Sequence, residues 1–235
     1  MRVLALYDIH GNVDALDAVL ADRRAAAADA VVAGGDAVPG AFAREVLERL
    51  EALNVPVHWV RGNGEREVAE AVGEMEVMTA DAIGAERAKR LGALPLTVEL
   101  DGVLYCHATP RRDDEILTRL SSAERYADAL AGVEARVVVA GHTHQQDDRD
   151  VGGIRFVNAG SVGLPYEGDG AARWLWIADG VPDLRQTNYD AGRAGRRMLD
   201  AGWPDERSIA AALIDPVEPI VVTRIFEEAA SGQRP

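Results

Sequence analysis

Cysteine is nearly absent from this 235-residue chain. Cys106 stands alone, so no intrachain disulfide can form and nothing points to an oxidising compartment. No apolar run approaches the roughly 18 residues that a membrane-spanning helix needs. The first residues, Met1-Arg2-Val3-Leu4-Ala5-Leu6-Tyr7-Asp8, turn polar too early for a secretory signal peptide. These absences point to a cytoplasmic protein that meets no membrane. Positive charge is scarce as well: Lys89 is the only lysine, and 25 Lys plus Arg face 39 Asp plus Glu, a net charge of −14. Such a field repels nucleic-acid backbones and anionic lipid, so bulk nucleic acid is excluded as a partner. An anionic substrate has to be captured locally. Hydrophobic residues make up 48% of the chain, enough for a sizeable core. With no repeat, linker or low-complexity tract, residues 1–235 read as one domain with a frayed tail at about 231–235.

What is present is a series of short apolar runs, each closed by a glycine-bearing loop. Arg2–Tyr7, Ala30–Ala33 and Val55–Val60 read as buried strands. Between them, Val13 to about Ala28 and Ala43–Leu53 have helical period, the first with Asn12 as N-cap. Three such units predict parallel strands joined by right-handed crossovers. Glu65 to about Leu91 reads as helix with a break near Met78-Thr79-Ala80. Asp101-Gly102 between Leu96–Leu100 and Val103–Cys106 signals a hairpin, which brings antiparallel character. Ser121–Ala131 reads as helix; Arg136–Ala140, Ile154–Val157 and Arg173–Ala178 read as strands. Trp174 and Trp176 alternate on the last of these and are assigned to packing, as His58 and Cys106 are on theirs. From Ala191 onward the pattern is three short helices punctuated by Pro204, Pro216 and Pro219.

Four of the five histidines fall in three short motifs: Asp8-Ile9-His10, Cys106-His107 and Gly141-His142-Thr143-His144. Gly34-Gly35-Asp36 and Arg61-Gly62-Asn63 lie between them. In order the chain spells D-x-H, G-D, G-N, H, G-H-x-H. Every candidate ligand (Asp8, His10, Asp36, Asn63, His107, His142, His144) sits where a strand gives way to a loop. Ligands of open α/β sheets gather beyond the carboxyl ends of the strands, so these ends would deliver them to one rim. Spacing of two, in Asp8/His10 and His142/His144, puts both side chains of an extended pair on one side. The mixed carboxylate, imidazole and amide set suits Mn²⁺, Fe or Zn²⁺, with Ni²⁺ also open, better than Ca²⁺ or a thiolate zinc site. Two such ions can clamp a phosphoryl group and activate water.

This order of motifs resembles the calcineurin-like metallophosphoesterase superfamily, and within it the small bacterial phosphodiesterase-like branch. The resemblance covers residues 8–144. It implies an α/β fold: a two-sheet mixed β-sandwich flanked by helices. It implies that Asp8, His10, Asp36 and His144 hold one metal, and that Asp36 as bridge, Asn63, His107 and His142 hold the second. The activity implied is that of a phosphoester hydrolase, first of all a phosphodiesterase, with two divalent ions (manganese first) and a metal-bridging hydroxide as nucleophile. The substrate would be a phosphorylated small molecule or nucleotide. Asn158-Ala159-Gly160-Ser161-Val162-Gly163 is similar to a Gly-Ser stretch that follows the last motif in small bacterial members.

One departure stands out. Where the family often reads G-N-H-[DE], this chain has Gly62-Asn63-Gly64-Glu65. The missing histidine is the one assigned to protonate the leaving oxygen, and losing a general acid costs on the order of 10²–10⁴-fold in rate. Activated esters, anhydrides and nucleotide diesters suffer least, which favours them as substrates. Glu65, Asp113 or a metal-bound water could substitute. For substrate contacts the candidates are Asn12, at the N-terminus of a helix facing the site, and Arg61, Arg111 and Arg112. Asn12 also reads as a plain cap, and Arg111 and Arg112 as a solvated loop pairing with Asp113, Asp114 and Glu115. The rival functions are a phosphomonoesterase or protein phosphatase, a dinucleoside polyphosphate hydrolase, and a metal-binding scaffold without turnover. Sequence leaves oligomeric state open.

Overall fold

The computed structural model describes residues 1–203 and 209–232. The first sheet is built from β1 (Arg2–Leu6), β2 (Ala30–Ala33), β3 (Val57–Trp59), β9 (Ala172–Ala178) and β10 (Val181–Thr187), in the order β10-β9-β1-β2-β3. The second contains β4 (Thr97–Leu100), β5 (Val103–Cys106), β6 (Val137–Ala140), β7 (Gln146–Val151) and β8 (Ile154–Ala159), in the order β4-β5-β6-β8-β7. β1, β2 and β3 pair in parallel, as do β5, β6 and β8, while β9, β10, β4 and β7 run antiparallel to their neighbours. The fold is therefore the expected α/β sandwich of two mixed sheets flanked by helices.

Strand period explains the layering. On β1, Val3 and Ala5 face the second sheet with Val32, Val103, Tyr105, Val139 and Val157, whereas Leu4 and Leu6 face outward to helices. That outer layer holds α1 (Val13–Leu20), α2 (Ala43–Glu51), α3 (Asn63–Glu70), α4 (Glu74–Ile83) and α5 (Ala85–Gly92). Trp174 is buried in it, with Trp176 packed alongside. Behind the second sheet, α6 (Ala123–Ala129) contributes Tyr126 and Ala129 to a smaller core with Phe156. The helices α7 (Ala191–Asp200) and α8 (Ile209–Ile214) form a fourth cluster with Leu164 and Tyr166, and α9 (Pro219–Gly232) closes the described chain. Among the described residues no helix is long and apolar enough to cross a membrane.

Several boundaries differ from expectation. The first helix ends at Leu20 rather than about Ala28, because Asp22 accepts the amide of Arg24 and only a 3₁₀ turn over Ala25–Ala27 follows. The expected break at Met78–Ala80 lies inside α4; the true joints are at Ala71–Gly73 and Gly84. Thr79, which looked like a breaker, is buried and its hydroxyl accepts the Gly40 amide. Sequence reading missed β7 and β10. Both are edge strands of polar composition, where charge discourages pairing with another chain and blurs the apolar alternation. The hairpin at Asp101-Gly102 forms as expected. Residues 231 and 232 close α9 instead of fraying; Pro204 and residues 233–235 lie outside the described residues.

Among the side chains that bond across the two sheets, the buried Tyr7 hydroxyl donates to Val139 O at 3.1 Å. Tyr7→Phe should lower the unfolding free energy by about 1 kcal/mol in urea titration, with activity retained. An unchanged midpoint would mean that this bond contributes nothing.

Candidate metal centre

Five strand ends converge on one rim. The loops after β1 and β2 are stitched together by main-chain bonds: Asp8 N to Gly35 O (3.0 Å), His10 N to Asp36 O (2.9 Å) and Gly11 N to Ala37 O (3.0 Å). In the second sheet, Gly141 N donates to His107 O at 2.7 Å. Across the sandwich, Asp8 Oδ2 accepts His142 N at 2.9 Å. The loops thus carry on the pairing of their strands, which fixes the ligand side chains relative to one another.

Two groups of donors result. Asp8, His10 and His144 form one, and Asp8, Asp36 and His107 the other, with ligand atoms within 4.8 Å of one another in each. Asp36 extends Oδ2 to 3.8 Å from His10 Nε2 and Oδ1 to 3.5 Å from His107 Nε2. One carboxylate therefore faces both groups, as expected for a bridge. Asp8 Oδ1 shares that position, 3.1 Å from His144 Nε2, 3.9 Å from His10 Nε2 and 3.8 Å from His107 Nε2. The rings of His107 and His142 pack at 5.2 Å.

The hydrogen bonds settle which atoms are free to ligate. Nδ1 of His107 lies 3.0 Å from Gly34 O, and Nδ1 of His144 2.8 Å from Leu164 O. A carbonyl only accepts, so each Nδ1 carries the proton and each Nε2 presents a lone pair inward. His10 Nε2 and His144 Nε2 stand 3.2 Å apart at the same place. Asp8 Oδ1, Asn63 Oδ1, His107 Nε2 and His142 Nε2 are buried with no hydrogen-bond partner. Buried polar atoms are almost always paired, and here lone pairs face lone pairs. Cations satisfy such a set, and the donors fit two divalent ions without any thiolate. Asp8, His10, Asp36, His107, His142 and His144 thus lie together, and the Asn63 loop adjoins them through Gly64 N, which donates to Asp36 Oδ1.

Electrostatics point the same way. Burial and the neighbouring Glu65 and Asp8 push Asp36 well up. Glu65 is itself buried, which raises its carboxyl against the pull of its amide donors. Its Oε1 accepts Ala37 N (2.9 Å), and its Oε2 accepts Asp36 N and Gly62 N (2.8 Å each). Glu65 clamps the Asp36 loop to the Asn63 loop, so its oxygens are committed and it has no proton to offer. Three buried carboxylates so close together call for compensating positive charge.

The centre also holds strained backbone. Asp8, His10, Asp36, His142 and His144 all have positive φ, between 48° and 68°. For a residue with a side chain this conformation costs on the order of 1–2 kcal/mol and clusters at functional sites. A strap over Asn158–Leu164 helps hold it. Ser161 Oγ donates to Asp8 O at 2.7 Å, Gly163 N donates to the same carbonyl at 3.0 Å, and Asn158 Nδ2 donates to Gly141 O at 2.7 Å. A Cβ at Gly163 would lie 1.7 Å from Ile9 O, so only glycine passes there. The Asn-Ala-Gly-Ser run was visible in the sequence; its bracing role was not.

The expected substrate contacts are engaged by protein. Asn12 caps α1 through Ala15 N and donates to Gly163 O and the Tyr189 hydroxyl. Arg61 pairs with Asp113 at 3.0 Å, and Arg66 with the same carboxylate at 3.2 Å, which holds Asp113 below its ordinary value despite burial. Arg111 pairs with Glu115 and Asp128, and Arg112 with Asp114. Gly64 is enclosed: its N–H donates to Asp36 Oδ1 at 2.7 Å, and a Cβ would fall 2.2 Å from Val38 O. No side chain fits where the family's histidine would stand.

A profile of the calcineurin-like phosphoesterase superfamily domain matches residues 1–176. Among solved structures, a metallophosphoesterase from Sphaerobacter thermophilus is 24% identical with a TM-score of 0.75, over 92% of this chain and 100% of that one. A hypothetical protein from Pyrococcus horikoshii OT3 is 19% identical with a TM-score of 0.78, over 92% of this chain and 99% of its own. No curated protein sequence matches.

Burial lowers His10 and His142 to about 3, so both are neutral in the folded chain. The unfolded chain, with histidines near 6.5, takes up those protons first, so acid favours unfolding. This contribution to stability is complete above about pH 6.5 and is lost as pH falls from there toward about 3. The urea midpoint of chelator-treated protein should drop steadily over that window; a flat profile would contradict buried neutral imidazoles. Gly64→Ala should cost about 1–3 kcal/mol in thermal melts and reduce bound metal, because Asp36 or Val38 must move. Wild-type metal content and stability would show that the enclosure yields.

Proposed function

We propose that this chain, which belongs to the calcineurin-like phosphoesterase superfamily and is a metal-dependent phosphoesterase, acts as a phosphodiesterase on small phosphorylated molecules. The observation that carries this reading is the charge at the rim. Arg61, Arg66 and Arg112, on the segments beside Asn63 and His107, are paired with three carboxylates, Asp113, Asp114 and Glu67. The chain as a whole carries −14. A phosphodiester brings one negative charge and a monoester up to two, so the diester demands less cationic help.

Asp8, His10, Asp36 and His144 would hold one divalent ion, and Asp36, Asn63, His107 and His142 the other. When bound, the pair supplies Lewis-acid activation of water and charge neutralisation at the phosphoryl and leaving oxygens. The chain's own share is positioning. The Nδ1–H bonds to Gly34 O and Leu164 O aim Nε2 of His107 and His144 inward. Glu65 fixes the backbone on either side of Asp36 and Asn63. No side chain stands at Gly64 to protonate the leaving oxygen, and Glu65 and Asp113 are committed elsewhere. The leaving group therefore departs with most of its charge, which favours low leaving-group pKa. Manganese is our first choice of ion for this carboxylate, imidazole and amide set, because Cys106 is buried and its thiol donates to Val139 O. The acidic charge and single buried cysteine suit a cytoplasmic enzyme.

The test is hydrolysis by metal-stripped protein reloaded with Mn²⁺. Bis-p-nitrophenyl phosphate should be turned over faster than p-nitrophenyl phosphate, and His142→Ala should lose at least about 10²-fold. Across aryl diesters, rate should fall steeply with rising leaving-group pKa. Preference for the monoester would overturn the diester reading, and a flat series would reveal a proton donor.

A further inference from the structure

Aromatic rings form an arc around the metal centre, and two of them are not ligands. The sequence of rings is His107, His142, Phe226, Tyr166, His144 and His10, with successive centroids 5.2, 6.4, 6.2, 4.9 and 4.9 Å apart. Phe226 and Tyr166 thus join the ligand pair on one side of the centre to the pair on the other. Tyr166 lies flat on His144, with 13° between planes. Phe226 is tilted by 56° to His142 and 53° to Tyr166, so it stacks flat on neither.

The position of Phe226 on α9 indicates what that face meets. Val222 and Ala230, one turn to either side of it on the same helix face, are both only 7% exposed, as is nearby Thr223 at 4%. Phe226 sits in the middle of this inward row and is only half-buried. Its ring reaches His142 and Tyr166, and His142 is likewise only partly buried.

α9 is held firmly there. The buried Gln145, next in the chain after His144, donates to Pro219 O at 2.8 Å and accepts the Thr223 hydroxyl at 2.7 Å. Glu227 accepts Ser121 Oγ at 2.7 Å and pairs with Arg125 at 2.9 Å. Phe226 lies between these two anchors, so its ring is placed before any ligand arrives.

We propose that α9 forms one wall of the substrate site and that Phe226, backed by Tyr166, stacks on the base of a nucleoside retained on the phosphoryl group. The proposal rests on the phosphodiesterase reading for its substrate and extends it from small diesters to nucleotide diesters. A half-buried aromatic ring beside the candidate ligand His142 matches a planar base, and base–aromatic stacking supports about ten-fold or more in affinity.

The test uses full-length, metal-loaded protein and two probes. Calorimetry would compare thymidine 5′-monophosphate with methyl phosphate. Kinetics would compare the p-nitrophenyl ester of thymidine 5′-monophosphate with methyl p-nitrophenyl phosphate, which share a leaving group. Wild type should favour the thymidine partner in both. Phe226→Leu, which keeps bulk, and Phe226→Ala should each reduce that preference about ten-fold through KM and affinity, while the methyl compounds are unchanged. Phe226→Tyr should retain the preference. Equal loss on both probes would mean a structural role, and an unchanged ratio would mean that no base stacks there; either overturns the proposal. If neither diester turns over but the nucleotide still binds better through Phe226, the phosphodiesterase reading falls and the base site stands. If the diesters turn over without preference, the reverse holds.

Discussion

Asp8 is fully buried at the end of β1, and four loops meet on it. Its amide donates to Gly35 O, its carbonyl accepts Ser161 Oγ and Gly163 N, and its Oδ2 accepts His142 N. Its remaining oxygen faces His10, His107 and His144. A carboxylate removed from water is tolerated only when charge and hydrogen bonds compensate it. The main-chain donors supply part of that compensation, and the inward lone pairs around Oδ1 leave the rest to cations. The two sheets are thus tied, at their functional rim, by a charge that neither sheet could stabilise alone.

The surrounding loops are shaped to serve that arrangement. Five of the seven ligands adopt left-handed backbone, an unfavourable choice for residues with side chains. Glu65 from one direction and the Asn158–Leu164 strap from the other bond the loops in place. The apolar layer between the sheets, with Val3, Ala5, Val139 and Val157, provides the rigid support beneath. The geometry of the candidate ligands is thus held by the protein's own bonds, which is what a metal centre needs if binding energy is not to be consumed in ordering loops.

Outside this inner shell the rim is electrostatically restrained. The nearby arginines Arg61, Arg66 and Arg112 share Asp113, Asp114 and Glu67, so little positive charge is left over for substrate. Recognition then falls to shape and to apolar surface. The closing helices matter here: α7 and α8 pack against Leu164 and Tyr166, beside the last candidate-ligand loop, and Gln145 of that loop ties α9 to it by donating to Pro219 O. Enclosure of Gly64 by Val38 and Asp36 removes the place of a side-chain acid without loosening the site, so the departure from the family pattern is built into the packing.

Local pattern determined a large part of this protein. Apolar runs such as Ala30–Ala33 and Val137–Ala140 could only be buried strands, Asp101-Gly102 could only turn tightly, and each ligand motif needed no more than a strand, a glycine and a polar side chain. These are short-range signals, recorded in neighbouring residues, and the convergence of Asp8, His10, Asp36, His107 and His144 was legible for that reason. Edge strands β7 and β10 were not, because a strand with one wet side and charged residues has no clean alternation. Thr79 was mistaken for a helix break because the partner of its hydroxyl, Gly40, comes from a distant loop. The same holds for Arg61, whose charge is met by Asp113, for Glu65, whose four oxygen lone-pair directions meet the backbone of two loops, and for Phe226, far along the chain from the ring it faces. What a segment must bury is written within the segment. Which partner a polar or aromatic side chain meets depends on where the chain returns, and only the packed tertiary structure decides that.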